Sequence, residues 1–98
     1  MTTPDERRRN LIWGRETLEE FSGDASLSNA WRGEAARLLA AYPSLAFLRQ
    51  FDAGDPAQLE PYAVVLSNAR RLFQRVAASP TSSKQREYSL RVVLRHFY

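Results

Sequence analysis

An enzyme must supply a nucleophile, a general base or a metal ligand, and this chain holds few of the parts. His96 is the only histidine and there is no cysteine. No Ser/Asp set at useful spacing accompanies the imidazole, so neither a nucleophilic triad nor a metal centre has anything to build from. A surface role is expected for His96. Glu16, Glu19 and Glu20 lie on adjacent helical faces, and paired carboxylates hold metals in helical bundles, but the Glu-x-x-His partner of such sites is missing. These acids are expected to be solvated or paired with Arg15. Gly14, Gly23, Gly33 and Gly54 are isolated, which leaves no phosphate-cradling loop. The expectation is therefore a non-enzymatic protein with no cofactor and no bound metal.

What the chain offers instead is positive charge. Lys84, Tyr88, Arg91 and Arg95 recur at helical spacing opposite an apolar face, and Arg71 and Arg75 sit one turn apart on the preceding helix. Such a surface steers anionic partners. Read as a protein contact, it meets an acidic surface. Read as a nucleic-acid contact, it neutralises phosphates, with Tyr88 as a stacking face and a steep dependence on salt. The loops preceding the second and last helices lead into no distinctive base-reading set, which weakens a helix-turn-helix reading. A helix also needs a solvated face, and basic residues are common there. Trp13, with Ile12 beside it, stands off the apolar stripe of its helix; it is either an interface anchor or a cover for the short helix around Phe47. The favoured expectation is a module binding a protein partner through Arg71, Arg75, Lys84, Tyr88, Arg91, Arg95 and Trp13 as an adaptor, regulator or inhibitor, with nucleic-acid binding as the alternative.

The charge is segregated along the chain. Residues 1–61 carry seven arginines against ten carboxylates, a net −3, whereas 62–98 carry six arginines and Lys84 against Glu87, a net +6. Thirteen arginines to one lysine suits forked recognition of carboxylate or phosphate, and equally suits codon bias in a GC-rich genome. No apolar run is long enough to span a bilayer, and the charged start, Met1 to Asn10, lacks the features of a secretory leader. A cytoplasmic protein without membrane contact is expected.

The elements that must position these side chains are all helical. Thr3-Pro4-Asp5-Glu6 is a helix start with a capping box, leading to about Ser22, with Leu11, Leu18 and Phe21 on one stripe around Gly14 and Gly23 placed to end it. Ser28 caps a second helix with Trp31, Ala35, Leu38, Leu39 and Tyr42 on one face, stopped by Pro43. Ser44 to Phe51 reads as a short connecting helix with Leu45, Leu48 and Phe51 inward. Asp55-Pro56 begins a single turn, then a long helix is expected from about Pro61 to Ala78, with Tyr62, Val65, Leu66, Ala69, Leu72, Phe73 and Val76 inward. After the turn Ser79-Pro80-Thr81-Ser82, a capping box of Ser82 and Gln85 is expected to open the last helix, which buries Leu90, Val93, Leu94 and Phe97.

No alternating segment competes as a strand, and at 98 residues and 44% hydrophobic content the chain is sized for one core. The expected fold is all-α: two antiparallel helical hairpins, an acidic one over 1–43 and a basic one over 55–98, packed as a four-helix bundle with a short fifth helix in the 44–54 connection. An intertwined homodimer satisfies the same pattern.

The hairpins also match each other at an offset of 55 residues. Leu11, Leu18, Phe21, Ala35, Leu38, Leu39 and Tyr42 fall on Leu66, Phe73, Val76, Leu90, Val93, Leu94 and Phe97; Arg15 falls on Arg70 and Ser28 on Ser83. Across the same offset Glu16, Glu19 and Glu20 become Arg71, Gln74 and Arg75, and Ala36 and Ala40 become Arg91 and Arg95. Duplication and chance similarity of amphipathic hairpins both predict this architecture.

Thr3, Pro4, Glu6, Arg7, Glu16, Leu18, Leu27, Arg32, Glu34, Ala35, Leu38, Leu39, Tyr42 and Pro43 carry a resemblance, over the first 43 residues, to a small family of uncharacterised proteobacterial helical-hairpin proteins. Family members usually have basic residues where Ala40 and Ala41 stand, and Leu94-Arg95-His96-Phe97 resembles the family's ending. The resemblance implies a helical hairpin and brings no activity, cofactor or catalytic residue.

Overall fold

Thr3 starts the first helix by a reciprocal cap. The Glu6 amide donates to the Thr3 hydroxyl at 3.1 Å, and the Thr3 amide donates to the Glu6 carboxylate at 3.0 Å, which satisfies two amides that a helix start would otherwise leave unpaired. In the computed structural model, which describes residues 3–80 and 82–97, this helix, α1, spans Pro4–Gly23. Ser28 and Ser44 cap α2, Asn29–Ala41, and α3, Leu45–Gln50, by accepting from the amides of Trp31 and Phe47. A 3-10 segment, Pro56–Tyr62, leads into α4, Ala63–Ala78, and α5 covers Lys84–Arg95. Among the described residues there is no strand. The fold is the expected all-α bundle.

Three local expectations are corrected. The long helix begins at Ala63 rather than Pro61, because Pro61 has no amide to donate and is accommodated in the preceding 3-10 segment. Ser82 does not cap α5. Its hydroxyl donates to the Val76 carbonyl at 2.6 Å, closing the end of α4, and Ser83 takes the capping role by accepting from the Arg86 amide at 3.1 Å. The turn's Thr81 lies outside the described residues. Gly23 is the last residue of α1 rather than a left-handed cap; no described residue has positive φ, and the Asp24 amide closes the helix on the Phe21 carbonyl.

The four long helices form a ring in the order α1, α2, α4, α5, each packing on its two neighbours, with α3 against α1 and the 3-10 segment against α4. The 55-residue offset survives into three dimensions. It carries the end of α1 onto the end of α4, and Ser28, the cap of α2, onto Ser83, the cap of α5. Leu11 and Leu66 are both fully buried, as are Leu18 and Phe73, and Ala35, Leu38 and Tyr42 are buried like Leu90, Val93 and Phe97. Phe73 joins the two hairpins, meeting Phe21 edge-on at 6.0 Å and Phe97 at 5.5 Å. Each such fully buried side chain contributes about 1.5–3 kcal/mol.

Gly14 is where this packing is tightest. A methyl group there would meet the Phe97 ring at 2.6 Å and the Tyr42 hydroxyl at 2.9 Å. That hydroxyl is buried and donates to the Leu11 carbonyl at 2.6 Å, and burial pushes its pKa well above the usual tyrosine value. Gly14→Ala would gain about 1 kcal/mol of helix propensity but force apart a ring and a buried hydrogen bond, at about 1–3 kcal/mol for the overpacking alone. The expected result is net destabilisation, with the melting temperature lowered by roughly 4–8 °C for each kcal/mol lost, read by thermal circular dichroism; a variant as stable as the parent would contradict this packing.

Candidate interaction surface

The acids of the first hairpin neutralise part of the second. Asp24, just past α1, pairs with Arg86 on α5; Glu34 on α2 pairs with Arg75 on α4; and Glu6 at the start of α1 meets His96 Nε2 at 2.8 Å. The segregation along the sequence is thus partly cancelled in space. His96 was expected at the surface and is instead only about a quarter exposed, held against Glu6. Within α1, Arg15 lies 3.7 Å from Glu19, as the acid cluster suggested.

Arg71, Lys84 and Arg95 are exposed and carry no ion pair among the described residues. Arg91 donates to Glu87 one turn back at 2.7 Å, in a pair that is largely solvent-exposed. Tyr88, between these cations on α5, is 71% exposed. The expected contact residues do not share one surface. Arg71 and Arg75 line a groove of about 780 Å³ between α2 and α4, together with Glu34, Arg37, Leu38, Asn68, Gln74 and Ala78. None of the α5 residues lines it. Arg37, from the first hairpin, was not among the expected residues; only the approach of α2 to α4 reveals it.

Trp13 lies elsewhere again. It is 38% exposed and lines both a smaller groove between α1 and α5, with Thr17, Ser89 and Arg86, and a depression on α1 beside Ile12 and Arg9. Phe47, which Trp13 was a candidate to cover, packs against Phe51 and Tyr62 with ring centroids 5.2 Å away in each case. Trp31, at the start of α2, packs partly buried against the core. Among the described residues no group of three His, Asp or Glu side chains is placed to hold a metal, and no helix is long and apolar enough to cross a membrane.

No protein-family model, curated protein or solved structure matches the chain. Function is therefore argued from these surfaces.

The cross-hairpin acids also set an acid limit on stability. Hydrogen bonds from the Ser26 hydroxyl and amide, then the Arg86 charge, hold the Asp24 carboxyl below its ordinary range. The hydrogen bonds with Thr3 do the same for Glu6, with a smaller contribution from His96. A carboxyl depressed in the folded state stabilises the fold above its unfolded pKa, and that contribution is lost as pH falls through the folded value. The denaturation midpoint is expected to drop between about pH 5 and about pH 2. In the double variant Glu6→Gln/Asp24→Asn the midpoint should be lower at neutral pH and the acid slope shallower; an unchanged slope would place the acid sensitivity in other groups.

Proposed function

We propose that this protein is a non-enzymatic interaction module that engages an anionic surface of a partner protein through the basic second hairpin. The observation that carries the reading is that the second hairpin keeps exposed cations with no ion pair among the described residues: Arg71 on α4, and Lys84 and Arg95 on α5. A charge already matched inside the fold adds little to recognition, whereas unmatched surface cations raise encounter rates with acidic partners and disfavour basic ones. The contact serves an adaptor, a regulator or an inhibitor equally well.

Nucleic acid is the second reading, favoured by one observation. Tyr88 projects 71% exposed from the same helix as Lys84, Arg91 and Arg95, an arrangement suited to stacking a base between phosphate contacts.

Fluorescence anisotropy separates the two readings. The probes are labelled poly-glutamate and labelled single- and double-stranded DNA and RNA, titrated over a salt series against the parent and against Arg71→Glu/Lys84→Glu/Arg95→Glu, whose folding is checked by circular dichroism. The protein-partner reading expects poly-glutamate to bind at low salt and the variant to lose about tenfold or more. Preference for nucleic acid, with a log–log salt slope near −0.7 to −0.9 per phosphate contacted, would replace it with the second reading. Binding of neither polymer at low salt would remove both.

A further inference from the structure

We infer that the groove between α2 and α4 is a receptor site for an acidic amphipathic helix, with Arg37, Arg71 and Arg75 as its carboxylate-binding set and Glu34 as an internal occupant that the partner displaces. The inference rests on the protein-partner reading above and assigns it a place. Asn68 and Ala78, at the two ends of the α4 wall, are ten residues apart, so the wall is about 15 Å long, or nearly three turns of a docked helix. Arg71 and Arg75 are one turn apart, which matches carboxylates at i and i+4 on a partner helix. Exposed Ala78 supplies apolar surface in the same groove, where the largely buried Leu38 forms part of the wall. Charge and shape therefore ask for one helix face carrying acids beside aliphatic residues, the helix-in-groove mode of recognition.

Glu34 already demonstrates the chemistry. Its carboxylate accepts from the Arg75 guanidinium, so at least one arginine of the groove is oriented for a carboxylate. Arg71 and Arg37 are exposed and carry no ion pair among the described residues. A polynucleotide has no aliphatic face to set against the apolar part of the groove.

The 55-residue correspondence between the hairpins supplies a second argument. The offset of 55 maps α1 onto α4 and α2 onto α5, so the α1/α5 seam and the α2/α4 seam are equivalent positions in the ring. The first is closed by Asn10, whose amide donates to the carbonyls of Val92 and Val93 at 3.1 and 2.9 Å, and by Glu6–His96 and Asp24–Arg86 at its two ends. At the equivalent places in the second, Val65 replaces Asn10 and Asn68 replaces Trp13. The bulky indole and the clamping amide are both gone. What remains is the larger groove, about 780 Å³ against about 320 Å³, with Arg71 and Arg75 where α1 has Glu16 and Glu20.

The test uses the full chain and a synthetic helical peptide of about fifteen residues, with glutamates at i and i+4 beside leucines on one face. Binding is measured by anisotropy for four proteins: the parent, Arg37→Glu/Arg71→Glu, Glu34→Gln, and Lys84→Glu/Arg91→Glu/Arg95→Glu. The expected pattern is a loss of about tenfold or more in the groove variant, a gain of roughly threefold or more in Glu34→Gln because Arg75 is released, and a loss in the α5 variant that is smaller than in the groove variant, because its cations steer the peptide without lining the groove. Glu34→Gln cannot gain affinity merely by losing stability, so it reports on the groove even if a reversal variant folds poorly. Loss confined to the α5 variant overturns the groove while leaving the protein-partner reading intact. Peptide binding that ignores Glu34→Gln overturns Glu34 as the displaced occupant and with it the inference. No peptide binding by the parent at low salt overturns the groove; the poly-glutamate titration then decides separately whether the broader reading survives.

Discussion

The structure depends on satisfying the carbonyls at its helix ends without left-handed residues. Each α-helix ends with carbonyls that lack an internal donor, and the common remedy, a glycine at positive φ, is not used at any described position. Side chains from α1 take over much of the task. Arg8 donates to the carbonyls of Leu48 and Phe51 around the end of α3, Asn10 to those of Val92 and Val93 in the last turn of α5, and Arg15 to that of Pro43 just beyond α2. The Tyr42 hydroxyl returns the connection by donating to the Leu11 carbonyl. The ends of α3 and α5 and the chain leaving α2 are therefore all tied to α1. Gly14, on the same helix, must remain small where Tyr42 and Phe97 converge on it.

A capping scheme of this kind ties the hairpins together more specifically than the apolar core alone. Leucine and phenylalanine pack in many registers at comparable free energy, whereas a buried amide that misses its carbonyl costs about 1–3 kcal/mol. Asn10 is 5% exposed and reaches across more than eighty residues of chain. Together with the Asp24–Arg86 and Glu34–Arg75 pairs, it selects one ring of helices from the arrangements that two amphipathic hairpins would otherwise share. The stacking of the Arg8 guanidinium on the Phe51 ring at 5.0 Å fixes the connecting helix in the same way.

Much of this architecture is legible in local sequence because local rules decide it. The Thr3–Glu6 box, the serines at 28 and 44 and the stop at Pro43 act within one turn of themselves, and the buried stripes follow from the 3.6-residue period. The failures occur where two elements compete for one side chain. The spacing of Ser82 to Gln85 points to Ser82 as the cap of α5, but α4 ends beside it and engages the Ser82 hydroxyl, which leaves the cap to Ser83. Asn10 reads as one more polar residue after a charged run, although its spacing to Gly14, Thr17 and Phe21 marks it as inward-facing; its partners, two carbonyls near the other end of the chain, leave no trace in sequence. The candidate site divides along the same line. Arg71 and Arg75 are visible as a basic pair one turn apart, but Arg37 joins them only because α2 and α4 become neighbours, and the pairing of Glu34 with Arg75 has no local signal.

The repeated frame and the unrepeated surface therefore have different physical origins. Apart from Arg15 and Arg70 and the capping serines Ser28 and Ser83, residues matched between the two hairpins lie where the ring requires small or apolar groups, as Leu11 and Leu66, Gly14 and Ala69, or Leu38 and Val93 do. Residues that differ sit on the seams and the outer faces, where either sign of charge is tolerated. Had both seams kept Asn10 and Trp13, the bundle would be clamped on two sides with little room between α2 and α4. With Val65 and Asn68 in their place, the core still closes beneath, because Leu66, Ala69 and Leu72 stay fully buried, while the rim above them is left open and cationic. The side-chain contacts from α1 reach the ends of α2, α3 and α5, and none of these contacts crosses the α2–α4 seam, so an open rim there costs the fold none of them.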